Sequence, residues 1–117
     1  MNAIGIVIPG RAVVTAPSAV LSPTREVFNV PDAECVKSVA VFLTGAVALP
    51  ENVGAAVFFA WPPYQSWRFL GHLSAAKPSA VFRANSDVGA RAIAAVARHV
   101  TAQIMVELAP LEQVEAL

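Results

Sequence analysis

The longest unbroken apolar run in this chain is Ala55–Trp61, and it ends at the consecutive prolines Pro62 and Pro63. The other apolar runs are shorter still, each stopped by proline, glycine or a polar cluster. A globular helix usually needs ten or more residues to present a stable apolar face, whereas a strand needs only about four to eight. The punctuation therefore favours β-structure and excludes a membrane-spanning helix, which takes about 18 or more apolar residues.

The side-chain order within the runs supports strands. Ile4 to Ile8 reads as a strand closed by Pro9 and Gly10, with Arg11–Thr15 as its candidate continuation. Ala19–Leu21 is a candidate short strand. In Arg25–Val30, Phe28 and Val30 share a face, and Pro31 ends the run. "PDAECVKS" suits a single helical turn. In "SVAVFLTG", Val39, Val41 and Leu43 alternate with Ser38, Ala40, Phe42 and Thr44. Residues two apart on a strand lie on the same face. Gly45–Gly54 reads mostly as loop.

"FFAWPPYQSWRFLGHL" is most simply a hairpin bent at "PPYQS". Val57, Phe59 and Trp61 face one way in its first strand, opposite Phe58. In the second, Trp67, Phe69, Gly71 and Leu73 face one way, opposite Arg68, Leu70 and His72. A strand over Ser79–Ala84 sets Ser79, Val81 and Arg83 against Ala80, Phe82 and Ala84. Gly89–Val100 is alanine-rich and reads as a short helix or an irregular crossing segment. Thr101–Leu108 returns to strand with Ala102, Ile104, Val106 and Leu108 inward, and "LEQVEAL" is a tail of weak helical propensity. Seven or eight short strands separated by turn signals predict an all-β antiparallel sandwich or barrel. The length suits one domain over residues 1–117.

Chemistry-bearing residues are sparse. The eight cations and eight anions cancel, and no basic run offers a nucleic-acid backbone a track. Cys35 is the single cysteine and lacks a CxxC partner for zinc. Asp32 and Glu34 nearby oppose a reactive thiolate. His72 and His99 begin no metal motif, and no glycine-rich phosphate loop is present. No catalytic residue, cofactor or metal is expected. Charged residues make up only 14% of the chain against 56% hydrophobic, so an apolar surface for partners is expected. By strand parity, Phe42, Phe58 and Phe82 are the candidate protein-binding residues, while Trp61, Trp67 and Phe69 fill the core.

The ordered segments Pro31–Asp32–Ala33–Glu34, Val41–Phe42–Leu43–Thr44–Gly45, Pro50–Glu51, Gly54, Phe69–Leu70–Gly71, Lys77–Pro78–Ser79–Ala80 and Gln103–Ile104 resemble the N-terminal domain of the Hikeshi family. The resemblance implies a β-sandwich of jelly-roll type. It also implies a non-enzymatic nuclear import carrier that works between cytoplasm and nucleus. Its expected partners are phenylalanine–glycine repeats of nuclear-pore proteins and heat-shock chaperones of the 70-kilodalton class, with dimerisation as a family property. The family's helical C-terminal domain is expected to be absent from residues 1–117. The family loop carrying a Phe-Gly pair is replaced here by "NSDVGARAIAAVARHV", which has no aromatic residue. The alternative is a self-associating or chaperone-docking β-domain without pore binding.

Overall fold

The structure is a computed structural model describing residues 3–84 and 99–117. Its strands are β1 (Ile4–Val7), β2 (Ala19–Ser22), β3 (Arg25–Val30), β4 (Ser38–Leu43), β5 (Val53–Ala60), β6 (Arg68–Leu73), β7 (Ser79–Arg83) and β8 (Ala102–Pro110). A 3-10 turn at Ala33–Cys35 sits where the single helical turn is expected, and a short helix α1, Leu111–Glu115, follows β8. All the strand pairs are antiparallel. One sheet has the order β1-β4-β7 and the other β2-β3-β8-β5-β6, giving the two layers of a sandwich-like all-β fold. Of Arg11–Thr15, Val14 alone makes a bridge, to Ile6. Most of Gly89–Val100 lies outside the described residues.

The core follows from alternation. Ile4 and Ile6 of β1 and Val39 and Val41 of β4 meet Phe28 and Val30 of β3, Ile104 and Val106 of β8, and Val57 and Phe59 of β5. Side chains of this size contribute about 1.5–3 kcal/mol each when fully buried. Glu26 shares the inward face of β3 with Phe28 and Val30, paired with Val106, and is 1% exposed. The apolar pattern of β3 gives no warning of this buried carboxylate.

Two parity expectations need correction. In the β5–β6 hairpin, Val57 pairs with Gly71 but Phe58 pairs with Phe69. Leu70 is thus an extra residue, a bulge that reverses facing along the rest of β6. Phe69 leaves the core and joins Phe58 on the outer face, while Leu70 packs against the core. Phe82, expected to face outward, pairs with buried Val39 and packs against the core. Its ring lies against Gly71, where an added Cβ would sit 2.6 Å from the Phe82 Cε1. The reason is register: β7 borders β4 with Ala80 and Phe82 beside Val41 and Val39, which leaves Val81 outside, 71% exposed.

The end of the chain is more ordered than its composition predicts. The N–H of Leu111 donates to the carbonyl of Asn52 (2.8 Å), and α1 lies on Gly54. A Cβ at Gly54 would meet Leu111 Cδ1 at 3.0 Å and Val114 Cβ at 3.2 Å, so the missing side chain is what lets the helix approach β5.

Candidate functional site

The three phenylalanines singled out by parity do not form one patch. Phe42 lies on the outer face of the three-stranded sheet, its ring over Gly5. Phe82 faces inward from β7, and Phe58 lies on the outer face of the five-stranded sheet. There the pairings Ala19–Val27, Val27–Met105, Met105–Phe58 and Phe58–Phe69 set one residue from each strand in a single apolar row. Val27 is buried, whereas Met105, Phe58 and Phe69 are half-buried. The rings of Phe58 and Phe69 are 5.6 Å apart and tilted at 57°, within the range of favourable aromatic pairs. Beside Phe58, a crevice of about 170 Å³ is walled by Ala56, Glu107, Ala109, Gln113, Val114 and Leu117. Arg25 Nε donates to Glu107 Oε2 at 3.0 Å across the neighbouring strands.

A second concavity opens at the end of the sandwich. It holds about 390 Å³ and is lined by Ala3, Val47, Ala48, Leu49, Pro50, Val53, Leu108, Ala109 and Pro110, with Thr24 and Asn52 as polar members. Its described lining carries no charged side chain. Ala109 borders both concavities, so they adjoin around the end of β8. Sequence reasoning missed this cleft. Its parts are far apart in the chain, and the only local signal was an apolar "AVAL" inside a segment otherwise read as loop.

Asp32, Glu34, Cys35 and His99 gather near the start of β8, at the far end of that strand from the cleft. Glu34 accepts the N–H of Val100 through Oε1 (2.9 Å) and the N–H of His99 through Oε2 (3.1 Å). The Val100 N–H above all, with further help from the N–H groups of Glu34 and His99 and the Cys35 thiol, holds the Glu34 carboxyl below the ordinary glutamate range, against a smaller opposing effect of burial. His99 Nδ1 lies 2.9 Å from Asp32 Oδ1. The Arg11 guanidinium donates to the carbonyls of Pro31 and Asp32. Cys35 is exposed, donates its thiol to Glu34 Oε2 at 3.8 Å, and borders a cleft of about 430 Å³ with Arg11 and Lys37. His72 pairs with Ala56 on the outer sheet face, away from this cluster. Among the described residues, no group of three or more His, Cys, Asp or Glu side chains is placed to hold a metal ion.

Residues 7–116 match the family described as Hikeshi-like, N-terminal domain. This chain belongs to that family. Among curated relatives, the Hikeshi protein of Danio rerio is 44% identical over 82 residues, covering 68% of this chain and 41% of the relative. The human Hikeshi protein is 37% identical with the same coverage. The OPI10 homolog of Aedes aegypti is 40% identical over 86 residues, 71% of this chain and 43% of the relative. The chain thus spans less than half the length of these curated relatives.

Proposed function

We propose that this domain serves a non-enzymatic nuclear import carrier by taking phenylalanine side chains of nuclear-pore phenylalanine–glycine repeats into the cleft between residues 47–53 and β8. Membership of the Hikeshi family supports the carrier role, and the uncharged apolar cleft is the observation that carries the choice of site. A cavity of about 150 Å³ suffices to bind benzene, so the cleft has room for a phenyl ring and part of its backbone. The crevice beside Phe58 is a second, smaller seat for a ring. Burying one phenylalanine is worth at most about 3 kcal/mol, which gives contacts that are individually weak and open fast. Such contacts suit a carrier that must move from one repeat to the next.

The same reading includes family partners and geometry: heat-shock chaperones of the 70-kilodalton class as cargo, dimerisation, passage between cytoplasm and nucleus, and a sandwich of jelly-roll type. The order β3-β8-β5-β6 opposite β4-β7, with the chain crossing between sheets at most connections, supports the jelly-roll assignment. The test is titration of the isotope-labelled protein with a phenylalanine–glycine repeat fragment. Shifts at Val47, Leu49, Val53 and Phe58 that vanish when repeat phenylalanines become serine are expected. Flat spectra at millimolar peptide overturn the proposal.

A second reading rests on the apolar row Val27–Met105–Phe58–Phe69, whose aromatic end is only half-buried. On that reading the domain is a self-associating or chaperone-docking module. A concentration-dependent mass by light scattering, abolished by Phe69→Glu, would favour self-association.

A further inference from the structure

The apolar cleft has an acidic rim. Glu51 stands between two lining residues, Pro50 and Asn52, and is exposed. Glu112, also exposed, is the second residue of α1 and follows the lining residue Pro110 by two positions. The hydrogen bond from Leu111 N–H to the Asn52 carbonyl ties the start of α1 to the loop that carries Glu51, so the backbone of both glutamates is held beside the cleft. Neither glutamate forms an ion pair among the described residues. The nearby cation Arg25 is held by Glu107 through two contacts, at 3.0 and 3.4 Å. Glu112 also favours the first turn of α1 through the helix dipole. That local role does not extend to Glu51, which lies outside any helix.

We infer that the cleft selects extended peptide segments in which the apolar anchor is flanked by lysine or arginine, over neutral or acidic segments with the same anchor. The inference deepens the proposed function and rests on it: an apolar side chain fills the cleft, and a cation two or three residues away meets Glu51 or Glu112. An uncharged apolar lining admits the anchor without regard to its neighbours. The exposed carboxylates at the mouth discriminate by charge, with a long-range attraction that raises the encounter rate and falls with salt. An exposed pair contributes little alone. Two pairs give a preference of about threefold to tenfold at low ionic strength, enough to rank competing segments without trapping any of them.

The test uses four peptides of a serine–glycine background. One carries a single Phe-Gly pair, the second adds a lysine on either side, the third adds glutamates there, and the fourth has the lysines with serine in place of phenylalanine. Binding is read from methyl shifts of Val47, Leu49 and Val53. The lysine peptide is expected to bind about threefold to tenfold more tightly than the neutral one. The difference should shrink as salt rises to about 0.5 M. Glu51→Lys alone should lessen the preference, and Glu51→Lys with Glu112→Lys should reverse it in favour of the glutamate peptide. Equal binding of neutral and lysine peptides at the cleft overturns the charge inference and leaves the proposed function standing. Binding of the serine control as tight as that of its phenylalanine counterpart also overturns it, because charge would then act without the anchor. No shifts with any peptide at millimolar concentration overturn the proposed function and this inference together.

Discussion

The ring of Phe82 occupies the space that a side chain on Gly71 would need: a Cβ there would lie 2.6 Å from Cε1 of the ring. The two residues belong to different sheets, so this contact joins the β6 margin of one layer to the β7 margin of the other. Gly71→Ala should therefore destabilise the fold by about 1–3 kcal/mol, the usual cost of overpacking. Gly5→Ala is the control. Its Cβ would approach the Phe42 Cζ to 2.3 Å, yet Phe42 lies on an outer face and its ring can swing into solvent. Urea midpoints should fall clearly for Gly71→Ala and less for Gly5→Ala, and equal losses would show that the Phe42 ring is as confined as Phe82.

Phe58 and Phe82 should separate on replacement by alanine. Phe82 is partly buried against the core, so its loss should cost about 2–4 kcal/mol, somewhat less than the truncation of a fully buried aromatic. Phe58 is half-buried on the outer face and should cost about 1 kcal/mol, roughly half of full burial. On the proposed function, Phe58→Ala weakens repeat binding in a folded protein. Phe82→Ala does so only in proportion to unfolding, as thermal melts run beside the titration would show.

Helix α1 should detach when Val114 becomes Asp. Val114 is 2% exposed and touches the place where a Gly54 side chain would be. A carboxylate there has no described partner to meet it. Hydrogen exchange should quicken at residues 111–117 while the amides of β5 and β8 at the centre of the sheet stay protected. Protection lost across the whole sheet would mean that α1 is integral to the fold.

Glu34 should contribute stability at neutral pH that is lost in acid. Its carboxyl is held below the ordinary range in the folded state, chiefly by the Val100 N–H. A depressed folded value means that the contribution is present above the unfolded value and is lost as pH falls through the folded one. Glu34→Gln should lower the melting temperature at neutral pH, and the difference from the parent protein should close as the pH is taken below about 4. A difference that persists unchanged at low pH would mean that the loss comes from packing and not from charge.

Strand parity within β3, β4 and β5 was legible because a two-residue period needs no partner to be read. Facing across the sheets was not. The bulge at Leu70 exists only relative to Val57 and Phe58 on the neighbouring strand, so nothing local could move Phe69 outward. Phe82 was misplaced because its alternation was correct but the sheet margin it occupies was unknown. The cleft was illegible for a related reason: Ala3, Val47 and Leu108 meet only after the whole sandwich has closed. In sequence Asp32 and Glu34 stand out only as neighbours of Cys35. Their contacts are with His99 and the chain entering β8.

The strand last in sequence, β8, lies between β3 and β5 at the middle of the five-stranded sheet. During synthesis, β3 can meet β2, and β5 can meet β6, while residues 102–110 are still inside the ribosome. Those two hairpins then wait as separate ribbons with no strand to bridge them. The sheet can close only when the final strand emerges and slots between both at once. Until then the apolar faces of the two ribbons stand open, so the interval between the making of β6 and the arrival of β8 is when the five-stranded sheet is most exposed to wrong pairing.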